Sequence, residues 1–179
     1  MYMKNWMVVV GLLLALPGAV MAAKPGYLHV TETVEINAPA AKVWGLVKDW
    51  NGLHKWHPAF SNAEIKSGEN NKVGAVRTLT LADGGAKFDE QLDGFSDKQR
   101  KYSYRIISDS PLPIADYSSS IQVKSGKAKG TSVLVWKGKF KRKVADNPPA
   151  GQDDAGVKKT ISGAYQAGLQ NAKKLAETK

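Results

Sequence analysis

Cysteine is missing from all 179 residues, which excludes a disulfide framework, a thiolate metal site and a cysteine nucleophile. Acidic residues are scarce: 16 Asp and Glu face 26 Lys and Arg, a formal charge of +10. Past the first 23 residues no apolar run approaches the ~20 residues that a membrane-spanning helix needs. There is no phosphate-binding loop, no G-x-S-x-G elbow and no dinucleotide fingerprint behind a strand. No internal repeat or low-complexity tract breaks the chain. What is present is a 42% hydrophobic share, too high for a disordered chain and enough for one core.

Lys4 precedes an apolar block, Met7 to Leu16, that ends at Pro17-Gly18. Val20-Met21-Ala22 then supply a small-residue cleavage point after Ala22, with Ala23 as the alternative. This pattern reads as a cleavable secretory signal over residues 1–22, leaving 23–179 as a single domain exported to a bacterial periplasm. The apolar block is too short for an uncleaved anchor.

Val30, Val34 and Ile36 alternate with Thr31, Thr33 and Glu35, the period of a half-buried strand. Pro39 suits the first position of a helix carrying Val43, Trp44, Leu46 and Val47, and a second short helix carries Trp50, Leu53, His54 and Trp56 up to Pro58. From Phe60 to Val144 the punctuation is that of an antiparallel meander, with strands around Arg77–Leu81, Phe88–Leu92, Tyr102–Ile106, Tyr117–Lys124 and Thr131–Lys143. Asp153 and Asp154 open a last helix that ends in lysines, matching its dipole, with Val157, Ile161, Ala164, Gly168, Ala172 and Leu175 as its apolar stripe. Gly163 and Gly168 weaken that helix and signal either close packing or room for a ligand. The expected fold is α+β: a curved antiparallel sheet gripping a long C-terminal helix, with two short helices after the first strand. A sheet wrapped around one helix leaves space beneath it, so a cavity is expected.

A two-residue turn at Gly84-Gly85 pairs Leu81 with Phe88, Leu79 with Glu90 and Arg77 with Leu92. Arg77 and Glu90 then meet diagonally on an apolar face, either as a structural ion pair or as a polar anchor for a ligand. Tyr102, Tyr104, Tyr117, Trp136 and Phe140 gather around them as core or cavity lining. Trp50, Trp56 and His57 are placed at the cavity mouth. His54 and His57 have helical spacing but no third ligand, so no metal is expected. Asp49 with His54 or His57 is an acid–base pair only at generic spacing, so no catalytic residue and no cofactor is assigned.

Between Tyr117 and Ala145 stand eight basic residues and no acidic one: Lys124, Lys127, Lys129, Lys137, Lys139, Lys141, Arg142 and Lys143. Such a stripe protects an exposed strand from edge pairing or docks an acidic partner. Nucleic acid is excluded as a partner by the exported location and by the shortage of arginine; contact with an anionic membrane surface is compatible with the charge.

The run Ala38-Pro39-Ala40-Ala41-Lys42-Val43-Trp44-Gly45-Leu46-Val47 resembles the opening of the polyketide cyclase/dehydrase and lipid-transport superfamily, the START-like or helix-grip (SRPBCC) proteins. Asp49 to Pro58, Gly74-Ala75-Val76-Arg77, Asp83-Gly84-Gly85, Glu90-Gln91-Leu92, Tyr102 to Ile106, Leu112-Pro113 with Tyr117, and Trp136 to Phe140 continue the match. Together with an export signal and a basic charge, the resemblance points to the MxaD-type periplasmic accessories of bacterial methanol oxidation. It implies a non-catalytic protein assisting contact between methanol dehydrogenase and cytochrome c. Within the wider superfamily it implies instead a carrier of a small hydrophobic molecule or lipid, or a cyclase/dehydratase-like enzyme using Arg77 or Glu90.

Overall fold

The computed structural model describes residues 26–178; the expected signal over residues 1–22 lies outside them. Alternation makes β1 (Leu28–Ile36), with Val30, Val34 and Ile36 buried and His29, Thr31 and Glu35 exposed. Pro39 is the N-cap of α1 (Ala40–Val47), one position earlier than expected, because its extended ψ of 144° keeps it outside the helix. A short 3-10 helix (Trp50–Lys55) follows. The side chains of Asn71 and Asn70 accept the backbone N–H groups of Trp50 and Asn51, covering donors that a helix start leaves open.

Six more strands follow: β2 (Phe60–Ser67), β3 (Val76–Leu81), β4 (Lys87–Ser96), β5 (Lys101–Ile106), β6 (Ile114–Ser125) and β7 (Ser132–Arg142). They make one antiparallel sheet in the order β1-β7-β6-β5-β4-β3-β2. The first strand therefore pairs with the last, and α1 with the 3-10 helix carries the chain from one edge of the sheet to the other. The long helix α2 (Asp154–Glu177) lies against the inner face. This is the helix-grip α+β fold.

Asp153 caps α2 by accepting the Gly156 N–H at 2.7 Å. The buried stripe of α2 is Val157, Ile161, Tyr165, Gly168, Leu169, Ala172 and Ala176. It corrects the expected one at two places, since Tyr165 rather than Ala164 is fully buried and Leu175 is 41% exposed. Three consecutive steps of four residues rotate the buried face past Ala164. Asn171 ties the helix to the 3-10 segment by donating to the Trp56 carbonyl at 2.9 Å.

The β3–β4 register also differs. Arg77 faces Glu90 and Leu79 faces Phe88, with the Leu81 N–H bonded to the Ala86 carbonyl. The turn is thus four residues, Ala82 to Gly85, with Gly84 and Gly85 at φ of 68° and 64°. Ala82 is unavailable to the hairpin because its N–H is taken by the Ala59 carbonyl. The slip is two residues, so every side chain keeps its face. Its consequence is that Arg77 and Glu90 lie directly opposite.

Gly168 resolves as close packing: a Cβ built there would sit 2.8 Å from His57 Nε2 and 3.0 Å from Trp136 Cζ3. At Gly163, exposed on the same helix, a Cβ meets nothing. Gly163→Ala should therefore raise stability by about 0.5–1 kcal/mol through helix propensity. Gly168→Ala should lower it by about 1–3 kcal/mol through overpacking. Urea denaturation of the two variants measures both, and equal effects would contradict this packing.

Candidate functional site

Between α2 and the inner face of β4–β7 lies a cavity of about 50 Å³, lined by His57, Glu90, Tyr104, Tyr117, Trp136 and Tyr165 together with apolar side chains such as Phe88 and Ile161. Its polar edge begins with a buried ion pair. Arg77 donates to Glu90 Oε2 through Nε at 3.0 Å and Nη2 at 2.6 Å. It also donates through Nη1 to the Trp50 carbonyl. Its guanidinium lies 4.4 Å from the Trp50 ring centroid, so the 3-10 helix covers it from outside. Burial pushes the Glu90 carboxyl above its usual range, and the Arg77 charge pulls it back. Both Arg77 contacts fall on Oε2, which leaves Glu90 Oε1 without a hydrogen-bond partner among the described residues.

The other polar groups satisfy one another. Trp136 donates its indole N–H to Ser119 Oγ at 2.8 Å and Tyr104 Oη at 3.1 Å. The Tyr117 and Tyr165 hydroxyls are 2.6 Å apart, and Tyr165 Oη is 3.2 Å from Ser119 Oγ. The ring of Tyr165 lies flat on Trp136, with centroids 4.4 Å apart and planes at 8°. Burial drives the hydroxyls of Tyr102, Tyr104, Tyr117 and Tyr165 far up, so all four stay neutral.

The residues expected around the cavity separate into two groups. Glu90, Tyr104, Tyr117 and Trp136 line it. Arg77 sits behind Glu90, Tyr102 shares the inner face of β5 with Tyr104 but packs in the core against Trp44 of α1, and Phe140 backs Tyr117 with ring centroids 6.3 Å apart. Tyr165 was not singled out by its spacing, although it continues the step of four from Val157 and Ile161. The mouth assignment is corrected: Trp50, Trp56 and His57 are 0%, 1% and 2% exposed and belong to the core. The reason is that the 3-10 helix folds inward to cover Arg77 and to meet α2. His57 lies beyond the end of that helix, so it shares no helical face with His54. Its Nδ1 accepts the Ala59 N–H at 3.1 Å, and its far side is turned to the Ala164 carbonyl of α2. Burial, reinforced by the Arg77 charge, lowers its pKa from 6.5 to about 4. No three His, Asp or Glu gather to hold a metal ion among the described residues.

The basic stripe divides as well. Lys141, Arg142 and Lys143 form ion pairs with Asp116, Asp154 and Asp109 at 2.7, 3.4 and 2.5 Å. Their charge is therefore largely cancelled at home. Lys124, Lys127, Lys129, Lys137 and Lys139 have no acidic partner among the described residues. Lys137 and Lys139 stand on the outer face of β7, and register places Ser120 and Ser118 of β6 beside them. On their other side Thr31 and His29 of β1 continue the row. With Lys101, Ser103 and Asp93, the last paired with Arg105, these residues frame an open depression of about 520 Å³, floored by small hydroxyl side chains and edged mostly by lysine.

The profile of the family described as "Polyketide cyclase / dehydrase and lipid transport" matches residues 27–177. The chain belongs to this family. Among solved structures, a Bacillus thuringiensis protein is 32% identical and superposes with a TM-score of 0.71, covering 83% of this chain and 98% of its own. The protein XoxI from Bacillus cereus is 31% identical with a TM-score of 0.71, covering 82% of this chain and 94% of its own. The Zhui aromatase/cyclase from Streptomyces sp. R1128 shares the fold at 20% identity and a TM-score of 0.70, covering 85% and 94%.

In this member of the polyketide cyclase/dehydrase and lipid-transport family, the gripped space is nearly filled. A cavity of about 50 Å³ holds a few water-sized groups, against the ~300–1,000 Å³ of sites for drug-sized ligands. The Arg77–Glu90 pair is therefore first a structural element. Arg77→Met, which strands the Glu90 carboxylate, should cost about 3–5 kcal/mol, and adding Glu90→Leu should restore most of it. Chemical denaturation of the single and double variants checks this; no recovery in the double variant would mean that the pair itself supplies the stability.

His57 sets an acid limit. Its folded pKa of about 4 lies below the ordinary 6.5, so as pH falls through that window the unfolded chain gains a proton that the folded one refuses. Stability should then fall toward pH 4 by up to about 3 kcal/mol. Thermal unfolding from pH 7 to pH 4 should show the loss, and His57→Gln should flatten it. An unchanged slope in the variant would assign the acid sensitivity elsewhere.

Proposed function

We propose that this protein is an exported, non-catalytic accessory that acts through its surface, docking on an acidic periplasmic protein. The observation that carries this reading is the contrast between inside and outside. The inner space is occupied by the protein's own aromatic rings and a paired Arg77–Glu90. The outer sheet presents Lys137 and Lys139 without intramolecular acids, over a floor of Ser118 and Ser120 small enough to let a partner approach. Uncompensated cations beside short hydroxyl side chains favour steered encounter with an acidic face. The sequence resemblance to the MxaD-type accessories names the partner class, the methanol dehydrogenase–cytochrome c pair.

A second reading rests on Glu90 Oε1. An unpaired carboxylate oxygen facing an aromatic cavity, its charge balanced by Arg77, suits a compact neutral molecule with one hydrogen-bond donor. The larger occupants, a lipid or a polycyclic enzyme substrate, have no room in about 50 Å³.

Binding of the purified chain to methanol dehydrogenase and to its cytochrome c, followed by biolayer interferometry at increasing salt, tests the docking reading. Lys137→Glu with Lys139→Glu should weaken binding by on the order of tenfold at low salt, with the difference fading as salt rises. Reversal at Lys143, already paired with Asp109, should do much less. Salt-independent binding, or equal effects of the two changes, would overturn electrostatic docking through the outer sheet.

A further inference from the structure

We infer that Tyr165 determines what the cavity accepts, by occupying the ring-sized part of the space between α2 and the sheet. This deepens the reading in which Glu90 holds a small neutral ligand, and it rests on that reading.

The surroundings of Tyr165 have the form of a socket for a phenol. One face of its ring lies on Trp136, with centroids 4.4 Å apart and planes only 8° from parallel. Its hydroxyl meets Tyr117 Oη at 2.6 Å and Ser119 Oγ at 3.2 Å. The sheet is trimmed to receive it: a Cβ at Gly138 would stand 3.1 Å from Tyr165 Cζ and overlap Oη. Gly138 lies on β7 between the buried Trp136 and Phe140, where a side chain would otherwise help the strand. The helix is trimmed too, because Gly168, three residues after Tyr165, leaves space for His57 and Trp136. An aromatic floor, two hydroxyls and a missing side chain are the elements that would bind a free phenol. Tyr165 supplies that phenol from within, and about 50 Å³ is what remains.

It follows that the native cavity rejects ring-sized molecules on steric grounds and admits only molecules of a few heavy atoms beside Glu90. Shortening Tyr165 exchanges the internal occupant for an external one. The vacated site keeps Tyr117 and Ser119; Ser119 stays bonded to the Lys137 carbonyl and the Trp136 indole, but the Tyr117 hydroxyl loses its partner, and leaving it unmatched is costly. A phenol that restores the match should therefore bind and stabilise the shortened protein.

The probe is 4-methylphenol, read by saturation-transfer NMR and by the rise in Tm, with the full chain, Tyr165→Ala and Tyr165→Phe. Tyr165→Ala should bind the probe at least about tenfold more tightly than the unaltered protein, and its Tm should climb with probe concentration. Tyr165→Phe keeps the ring and should still exclude the probe. If Tyr165→Ala does not fold, Tyr165→Val vacates most of the same space and carries the same expectation. Equal binding to the unaltered protein, or no binding to a folded shortened variant, would overturn the role of Tyr165. A separate arm with 1-propanol and the unaltered chain scores the parent reading. Failure there, with the phenol gain intact, would remove the native ligand while leaving Tyr165 as the residue that sets cavity size.

Discussion

Tyr165 on Trp136 is the contact through which the helix and the sheet constrain each other. Two large rings can stack at 4.4 Å between a helix and a strand only where the backbones are stripped of side chains nearby. Gly138 on β7 and Gly168 on α2 meet that condition. The same closeness presses His57 against the helix and removes it from water, which is why its imidazole remains neutral well below its ordinary range. Cavity volume, glycine placement and acid sensitivity are thus consequences of one helix-to-sheet distance rather than separate traits. In a close-packed interior such a distance cannot be relaxed a little at a time.

The Arg77–Glu90 pair plays a different part. Two opposite charges deep in an apolar face usually gain little net stability, because desolvation offsets their attraction. Here the guanidinium has three further roles. It accepts cover from the Trp50 ring, binds the Trp50 carbonyl, and thereby fixes the 3-10 helix over β3. That helix brings Trp56 and His57 to α2. The charge pair and the aromatic stack are therefore joined through a short piece of chain, and disturbing either is felt by the other.

Much of this was legible in the residue pattern, and the limits have physical causes. Alternation in β1 and around Tyr102–Ile106 marked strands because one face is buried and the other wet. The lysines of β7 showed which way Trp136 points. Inward placement of Arg77 and Glu90 survived an error in turn length, since a two-residue slip preserves sidedness. What the pattern did not carry was direction at close quarters. Trp50, Trp56 and His57 look alike whether they rim a cavity or fill it, and only the inward fold of a 3-10 helix decides. The inward turn of Tyr165 is not carried by the pattern, because Ala164 and Gly168 make an equally regular stripe and a tyrosine beside Gln166 passes for a surface residue. Lys141, Arg142 and Lys143 counted as surface charge until Asp116, Asp154 and Asp109 came close in space from distant positions.

A fold that grips a helix offers two surfaces on which to build function, and this chain has invested them unequally. Inside, the tyrosine hydroxyls and the Trp136 indole at the cavity are answered by neighbours, the indole nitrogens of Trp50 and Trp56 are buried without a partner, and Tyr165 takes much of the space. Such an interior is stabilising, but it leaves one free carboxylate oxygen at Glu90 for chemistry. Outside, five lysines remain without acids of their own among the described residues, while short serines hold the floor between two of them. Lys137 and Lys139, side by side on the outer face of β7, repel one another. Under the proposed docking, an acidic partner would supply the negative charge that these lysines lack within the chain, whereas their three neighbours already have it. On that argument the interior of this protein serves mainly to hold its outer sheet in shape.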